Sequence, residues 1–277
     1  MKNLPIYTSF SMSPYKSIKH SSYFDVYEKL FQRYRNKPVV FIEIGVLNGG
    51  SLFMWRDYFG KQAQIIGIDL NPEARRWQED GFDIFIGDQS DPNFWHRVIK
   101  KYPQIDIVLD DGGHTYEQQI MTTETLKSHI KDGGLIVIED THTSYQNGFG
   151  FKCVSFMKYV QKKMDHINFR YKNLNKKNYE KDIWNIQCFE SIVAFEINQK
   201  KLNDETLMVS NKGQTIEAHD FRYNKNRFTE GYINFAKKYF KFLEKNNVTQ
   251  NLGRGIKYTL LTWANIKSYL KTQKYFK

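Results

Sequence analysis

Short apolar runs that end in acidic residues or glycine recur through the first half of this chain, and they constrain its fold more than any other feature. Segments with helical patterns lie between them. This alternation is typical of repeated βα units, whose strands form a parallel sheet that is covered on both faces. In such a sheet, ligands bind in the crevice beyond the carboxyl ends of the strands. The polar clusters that follow the runs are residues 43–51, 69–72, 110–114 and 139–140.

The pattern predicts an α/β fold with a doubly wound, mostly parallel, Rossmann-like sheet of seven strands. Two late strands are expected to form an antiparallel hairpin that closes one edge of the sheet. Residues 131–134, Lys-Asp-Gly-Gly, are expected to form the turn before the fifth strand. The predicted strands are 38–44, 64–69, 84–86, 105–110, 135–139, 185–189 and 192–197. The predicted helices of this region are 51–59, 93–101, 117–129 and 152–164.

Three regions are expected along the chain. Residues 1–36 form an N-terminal helical cover with an amphipathic segment at 23–34, and residues 37–197 form the α/β domain. Residues 198–277 form a basic C-terminal extension with two helices, at 230–246 and 256–274. The aromatic residues among the lysines of those helices suit a homo-oligomer interface, a membrane surface or the chain's own core.

The basic charge of the chain belongs to its second half. The net charge is +11, yet residues 1–150 contain 16 Lys and Arg against 19 Asp and Glu, whereas residues 151–277 contain 25 against 11. A basic half favours anionic partners such as nucleotides, acidic glycans, nucleic acid or lipid. A solvated, lysine-rich surface explains the same composition without any partner.

Composition also excludes several classes of protein. The chain of 277 residues is long enough to bury a full core without a disulfide or a metal. Its two cysteines, Cys153 and Cys188, lack the CxxC spacing of a zinc or redox site. The first residues do not resemble a signal peptide, and no stretch reaches the roughly 18 apolar residues of a membrane helix. We therefore expect a cytoplasmic protein without a transmembrane segment.

A glycine-rich loop between the first strand and the first helix of the domain is the strongest cofactor signal. It has neither the GxGxxG spacing of a dinucleotide site nor the GxxxxGK[ST] of a P-loop. Its glycines would let the backbone approach a ligand closely. Asp69, at the end of the second strand, is placed to accept hydrogen bonds from a ribose diol. The glycine-rich loop is preceded by an acid, Glu43, and is followed by Asp69 and by the Gly87-Asp88 pair. These features together are a more specific signal than any one of them alone.

With Glu43, Gly45 and Gly49 matching E-x-G-x-x-x-G, the chain resembles the class I S-adenosylmethionine-dependent methyltransferases. The resemblance implies that Asp69 holds the ribose hydroxyls and that Asp88 contacts the adenine edge. A Rossmann-like domain that binds another nucleotide is the alternative. The residues expected to bind the cofactor are Glu43, Gly45, Asn48, Gly49, Ser51, Asp69, Asp88 and Gln89 (adenine edge), and Asp110 (near the methionine end).

Two histidines are candidates for acid–base chemistry. Methyl transfer from a sulfonium requires an aligned nucleophile, removal of its proton and exclusion of water. Histidine, with an ordinary pKa of about 6.5, suits the base role at neutral pH. His114 follows the fourth strand directly, so it is expected at the pocket mouth, and His142 is a second candidate. The alternative is that each histidine makes only local hydrogen bonds in its loop.

Asp111, Glu139 and Asp140 follow two strands that should be neighbours in the sheet. Three anions in one cleft are costly unless a cation is bound with them. Oxygen ligands favour a hard ion such as Mg²⁺, which acts as a Lewis acid on a chelated sugar diol. The alternative is that Asp110 and Asp140 only cap the loops that follow them.

These motifs narrow the family further. The sequence Asp-Asp-Gly-Gly-His at 110–114, followed by Ile-Glu-Asp at 138–140, resembles the metal-dependent sugar O-methyltransferases of macrolide biosynthesis and the rhamnosyl O-methyltransferase and cephalosporin hydroxylase group. The resemblance covers about residues 15–197, and residues 198–277 match no known pattern. It implies that Asp111, Glu139 and Asp140 hold Mg²⁺ and that His114 is the base. Gly113 stands where a serine is more usual.

The expected function is therefore S-adenosylmethionine-dependent methylation of a sugar hydroxyl. The Lys- and Asn-rich composition resembles that of AT-rich bacteria, which favours a nucleotide-activated sugar, such as a GDP-linked heptose or deoxysugar, destined for a capsule. A small natural product or a nucleic acid is an alternative acceptor, although no [DN]PPY-like motif follows the fourth strand. A non-catalytic subunit that binds S-adenosylmethionine is the remaining alternative.

Overall fold

A computed structural model describes residues 2–171, 174, 179–204, 207–216, 231, 266, 269–270 and 272–276. The chain divides into two units, Met1–Met208 and Val209–Lys277. The first unit contains the sheet described below. In the second unit the description is limited to short segments, which include a 3₁₀ turn at Gln273–Phe276. The predicted helix at 230–246, and most of that at 256–274, lie outside the described residues. The predicted boundaries after residues 36 and 197 remain predictions.

Seven strands form one sheet in the order β3-β2-β1-β4-β5-β7-β6. Strands β1 to β5 are mutually parallel, and β7 is antiparallel to both β5 and β6. The predicted doubly wound sheet with a terminal antiparallel hairpin is therefore confirmed. The strands are β1 (Val40–Ile44), β2 (Gln64–Asp69), β3 (Asp83–Ile86), β4 (Ile105–Asp110), β5 (Ile130–Ile138), β6 (Ile183–Phe189) and β7 (Ile192–Ile197).

Helices cover both faces of this sheet, and several begin at the capping signals that the sequence provides. Asp91 caps one helix and Ser155 another, and Thr115 with Gln118 forms a reciprocal capping box at a third. The helices are α1 (Pro5–Met12), α2 (Tyr23–Phe31), α3 (Gly50–Phe59), α4 (Pro92–Lys101), α5 (Tyr116–Leu126), α6 (Phe156–Asn168) and α7 (Gln199–Asn203).

The strands bury both of their faces, and the alternation of side chains along them creates two cores. In β1, for example, Phe41 packs into one core and Ile42 into the other. The first core is closed by α1, α2 and α3 and is rich in aromatic side chains, among them Trp55. The second is closed by α4, α5 and α6, where Trp95 and Phe156 are fully buried. The first core explains why the N-terminal segment folds onto the domain.

The region before the fifth strand differs from the prediction. The predicted turn at 131–134 is wrong, because β5 begins at Ile130 and includes these residues. The pairing of β4 with β5 shifts its register between Ile105 and Ile107, and Gly133 has a φ of +82°. A Cβ atom on Gly134 would lie 2.6 Å from the carbonyl oxygen of Asp106. The glycines therefore permit an irregular strand with close backbone contact instead of a turn.

The segment between α1 and α2 crosses the carboxyl-terminal edge of the sheet. Ser13 donates a hydrogen bond to the carbonyl oxygen of Gly50 at 2.7 Å, and the ring of Tyr15 packs edge-on against Trp77. Further along, Lys19 reaches the ends of β4 and β5. The N-terminal residues thus supply part of the site as well as a cover. Among the described residues, no helix has the length and apolarity required to cross a membrane.

Candidate active site

The polar residues that follow the strands lie together at the carboxyl-terminal end of the sheet, at the point where the strand order reverses. Ile44 of β1 pairs with Asp110 of β4, and Asp110 pairs with Ile138 of β5. The loops that leave these three strands therefore begin side by side. A crevice of this kind is where open α/β sheets bind their ligands.

The glycine loop packs tightly against the loop that follows β4. Gly45 has a φ of +91°, and a Cβ atom there would lie 2.1 Å from the carbonyl oxygen of Asp111. Gly49 has a φ of +75°, and its Cβ would lie 2.3 Å from the indole of Trp77. Both glycines are therefore required by backbone conformation and by space. Asn48 is exposed in the same loop.

Asp69 holds the glycine loop in place. Its Oδ2 atom accepts hydrogen bonds from the backbone amides of Val46 and Leu47 at 2.9 and 3.0 Å, and its Oδ1 accepts one from Asn71 at 2.8 Å. A carboxylate offers about four acceptor positions, so one remains for a ligand hydroxyl. Leu47 has a φ of +46° and a side chain that is 79% exposed, which marks a strained turn at the mouth of the crevice.

Glu43 and Ser51 lie behind the loop instead of facing the crevice. Glu43 is fully buried, and its carboxylate accepts hydrogen bonds from Ser51 Oγ at 2.9 Å and from Trp55 Nε1 at 3.0 Å. Burial raises the pKa of Glu43 to about 7, although the charge of Lys19 and these two hydrogen bonds oppose the rise. The pair fastens β1 to α3 and so fixes the loop between them.

Asp88, Gln89 and Asp110 occupy two different environments. Asp88 is exposed and accepts hydrogen bonds from the backbone and side chain of Ser90. Gln89 is buried, and its amide group donates to both carboxylate oxygens of Asp110 at 3.0 and 2.8 Å. Asp110 also accepts from the amide of Gly112, so it caps the loop after β4. The structure thus places Gln89 and Asp110 as supports, and their predicted contacts with a cofactor remain predictions.

His114 lies close to the aspartates that follow β4 and β5. Its Nε2 atom is 3.5 Å from Asp140 Oδ2 and 4.0 Å from Asp111 Oδ1. The residue has a φ of +56°, a backbone conformation that is uncommon for residues other than glycine. A Cβ atom on Gly113 would lie 2.4 Å from Gln118 Oε1, the atom that caps α5. Glycine instead of serine at 113 therefore leaves room for the cap of the next helix.

His142 lies on the other side of Asp140. Its Nδ1 is in hydrogen-bond contact with Ser191 Oγ, and it lies 4.0 Å from Asp140 Oδ1. Tyr23 donates a hydrogen bond to the same Asp140 oxygen at 2.5 Å. Asp140 and Ser191 both have positive φ, +53° and +63°. Strained backbone is common at functional sites, and here positive φ occurs at Asp140, at Ser191 and at His114.

Lys19 is a residue of the site that no sequence motif indicates. Its Nζ atom lies 2.5 Å from Asp111 Oδ2 and 3.1 Å from Glu139 Oε2, and its side chain is 3% exposed. Tyr27 donates a hydrogen bond to Glu139 Oε1 at 2.5 Å. Burial alone would lower the pKa of Lys19, but the charges of Glu139, Asp111 and Glu43 raise it well above its usual value. Lys19 is therefore an ammonium ion inside the carboxylate cluster.

The surroundings of Glu139 differ from those of the other two carboxylates. Burial, with the charge of Asp111, raises the pKa of Glu139 above its usual value, and Lys19 and Tyr27 oppose the rise. Its side chain is 1% exposed, whereas those of Asp111 and Asp140 are 24% and 22% exposed. The three predicted metal ligands are thus divided into an inner Glu139 and two outer aspartates.

A cation could be held at the outer side of this cluster. Within the described part of the chain, ligand atoms of Asp111, His114 and Asp140 all lie within 4.8 Å of one another. The two aspartates offer the oxygen donors that a hard ion such as Mg²⁺ prefers. Glu139 does not belong to this group, because its oxygens face Lys19 and Tyr27. The donor set therefore fits a divalent cation that is bound by Asp111 and Asp140 and not by Glu139.

Residues 42–141 match a family model described as "Methyltransferase domain". This segment is therefore similar to methyltransferase domains. The match agrees with the family that the glycine loop and the strand order indicate.

Named relatives are similar to just under half of the chain. Demethylmacrocin O-methyltransferase of Streptomyces fradiae is 37% identical over 131 residues, which are 45% of this chain and 33% of the relative. Mycinamicin VI 2''-O-methyltransferase of Micromonospora griseorubida is 38% identical over 131 residues, 45% of this chain and 32% of the relative. The chain thus spans about a third of the length of the curated relatives that it matches.

A solved structure resembles the larger part of this chain. The MycE methyltransferase of the mycinamycin biosynthetic pathway, in complex with Mg and SAH, is 27% identical with a TM-score of 0.62. The superposition covers 70% of this chain and 54% of that chain. It therefore extends well beyond residues 42–141, and it confirms the predicted fold class.

Proposed function

We propose that this protein is an O-methyltransferase that transfers a methyl group from S-adenosylmethionine to a sugar hydroxyl. The observation that carries the proposal is the position of His114, whose Nε2 lies 3.5 Å from Asp140 at the crevice of a methyltransferase domain. The relatives support the acceptor class, since they include a methyltransferase named for a rhamnosyl tetracenomycin. A similar solved structure, of the MycE methyltransferase, contains Mg, SAH and mycinamycin VI.

His114 is the proposed base. Its Nε2 atom would accept the proton of the attacking hydroxyl while the oxygen–methyl bond forms and the sulfur–methyl bond breaks. Asp140 and Asp111, 3.5 and 4.0 Å away, stabilise the imidazolium that results. His142, whose Nδ1 lies 4.0 Å from Asp140 Oδ1, is the second candidate for the acid–base group.

The predicted cofactor residues divide into two roles. Gly45, Asn48 and Gly49 form the loop that approaches the cofactor, with Asp69 for the ribose and Asp88 for the adenine edge. A second set holds these parts in position from behind: Glu43, Ser51, Gln89 and Asp110. When bound, the cofactor supplies the electrophilic methyl group, and the protein aligns it and excludes water.

Asp111 and Asp140 would hold Mg²⁺, with Glu139 as a third ligand if its contact with Lys19 is released. When bound, the ion acts as a Lewis acid toward a chelated diol. We expect EDTA to reduce methyl transfer and Mg²⁺ to restore it. Full activity in EDTA would assign the carboxylates a purely structural role.

The acceptor we propose in finer detail is a nucleotide-activated sugar, such as a GDP-linked heptose or deoxysugar for a capsule. The excess of Lys and Arg in residues 151–277, 25 against 11 acidic residues, suits a diphosphate. A glycosylated natural product is the second candidate, because the relatives are named for such acceptors.

A screen with methyl-labelled S-adenosylmethionine tests both candidates. The full-length protein is incubated, with and without Mg²⁺, with nucleotide sugars, macrolide or tetracenomycin glycosides and total RNA. Label in a nucleotide sugar supports the first acceptor, and label in a glycoside supports the second. Label in RNA alone, or in none of the acceptors despite measurable cofactor binding, would contradict a sugar O-methyltransferase.

A further inference from the structure

Lys19 occupies the gap between two of the three carboxylates that the metal would need. Its ammonium donates to Asp111 Oδ2 at 2.5 Å and to both oxygens of Glu139, at 3.1 and 3.3 Å. These three contacts match the three protons of an ammonium group. The side chain enters from the segment before α2 and is 3% exposed, so it is a built part of the site.

The opposite side of Asp111 remains available. Asp111 turns Oδ2 toward Lys19 and Oδ1 toward His114, 4.0 Å away. Glu139 has no equivalent open side, because Tyr27 donates to its Oε1 and Lys19 contacts both oxygens. A divalent cation that bridges Asp111 and Glu139 would therefore need the volume that the ammonium fills. Two cations in that volume would also repel each other strongly.

We propose that Lys19 is the resident cation of this cluster, and that a divalent cation can join Asp111 to Glu139 only when the ammonium leaves. In the absence of metal, Lys19 keeps the two carboxylates paired and the site assembled. The inference deepens the proposed function, since it concerns the cation of the same site. Its test, however, measures metal binding and lysine exposure, which do not depend on any acceptor.

The first experiment measures binding of Mn²⁺ to the full-length protein by electron paramagnetic resonance of the free ion. Lys19→Met removes the charge but keeps a long apolar chain, and we expect the Mn²⁺ affinity to rise at least about tenfold. Lys16→Met is the matched control, because Lys16 is an exposed lysine of the same segment. Its affinity should equal that of the wild type. An affinity of Lys19→Met that is unchanged or weaker would overturn the proposal.

The second experiment uses the wild-type protein, so it is independent of whether Lys19→Met folds. Amine-reactive labelling followed by mass spectrometry reports how accessible Lys19 is. We expect slow labelling without metal and at least several-fold faster labelling at saturating Mn²⁺, while Lys16 labels at a constant rate. Absence of this acceleration would overturn the proposal. Failure of the acceptor screen with successful metal binding would instead contradict only the proposed function.

Discussion

The imidazole of His114 is positioned by its backbone more than by hydrogen bonds of its ring. Its Nδ1 atom is buried without a hydrogen-bond partner among the described residues, and its Nε2 faces Asp140 at 3.5 Å. The residue has a positive φ of +56°, and the capping box of Thr115 and Gln118 fixes the chain just after it. A ring held in this way suits a base whose proton partner is a substrate.

Replacing His114 by Ala should reduce kcat by at least about 100-fold, because the hydroxyl proton loses its acceptor. The affinity for S-adenosylhomocysteine should stay within about twofold of wild type, since the imidazole does not support the glycine loop. Steady-state methyl transfer and isothermal calorimetry measure the two quantities. His96→Ala, on the exposed side of α4, is the control. Near-normal turnover of His114→Ala would exclude it as the base.

Gly45→Ala should abolish cofactor binding and destabilise the protein. The residue has a φ of +91°, and its Cβ would lie 2.1 Å from the carbonyl oxygen of Asp111. Gly81→Ala is a matched control, because Gly81 has a φ of +80° but nothing within 4 Å of its Cβ. Strain alone should cost the control about 1–2 kcal/mol, measured by urea unfolding. A Gly45→Ala protein that binds S-adenosylhomocysteine like the control would contradict the close approach of these loops.

At the level of single residues, the sequence reveals the strand-end groups but not their partners. Asp111, His114, Glu139 and Asp140 were predicted to meet, because parallel strands bring their carboxyl ends to one edge. Lys19 contacts Asp111 and Glu139 across 92 and 120 residues of sequence. No local pattern encodes such a crossing. The only signal for it was that the family resemblance begins at about residue 15 and so includes Lys19.

At the level of elements, most boundaries follow from local signals, and the exceptions are decided by tertiary contacts. The Asp91-Pro92 start of α4 can be read from sequence. The predicted helix at 152–164 is instead α6 at Phe156–Asn168, because the side chain of Ser155 caps its first turn. The start of β5 cannot be read from sequence, because Asp-Gly-Gly is also typical of a turn. Here Asp106 accepts hydrogen bonds from Lys131 Nζ and from the amide of Val40, both at 2.8 Å. These contacts tie the glycine segment to β4 and β1, so it continues as strand.

A network of ion pairs fixes α6 to α5 and to the segment before β6. Lys163 lies 2.6 Å from Glu124 and 2.8 Å from Glu180, and Lys127 lies 2.6 Å from Glu124. Glu180 is 3% exposed, so its charge is compensated inside the protein. Removing one member of such a buried network leaves the others uncompensated.

Because of this network, the free energy of unfolding should decrease as the pH falls in the acidic range. Burial alone would raise the pKa of Glu124, but hydrogen bonds from Lys127, Lys163 and Tyr159 lower it to about 2. A depressed carboxyl pKa stabilises the fold above the unfolded value of 4.5, and this contribution is lost as pH falls toward 2. The difference in urea midpoint between wild type and Glu124→Gln should therefore be largest at pH 6 and shrink at pH 3.

Glu117→Gln is the control for this measurement, because Glu117 is an exposed acid on the same helix. Exposed charges contribute little to stability, so its midpoint should follow that of wild type at both pH values. A Glu124→Gln difference that is equal at pH 6 and pH 3 would show that the effect is loss of packing and not loss of the charge network.

At the level of the whole molecule, the fold class was predictable because the sheet is buried on both faces. Each strand then reads as a continuous apolar run, and the βα alternation limits the topologies that remain. The packing of α1 and α2 with α3 around the first core depends on contacts between distant segments. The amphipathic pattern at 23–34 predicted a cover, but it did not predict that the cover would deliver Tyr23, Tyr27 and Lys19 to the carboxylates.

A truncated protein of residues 1–208 should fold and bind the cofactor. All seven strands, both described cores and every predicted site residue lie within this unit. Urea unfolding should show one cooperative transition, and the affinity for S-adenosylhomocysteine should stay within about threefold of the full-length value, since no predicted cofactor residue is removed. If the basic residues after 208 contact a diphosphate, KM for a nucleotide sugar should rise while KM for an uncharged glycoside does not. Loss of cooperative unfolding or of cofactor binding in the truncated protein would show that residues 209–277 belong to the same folding unit.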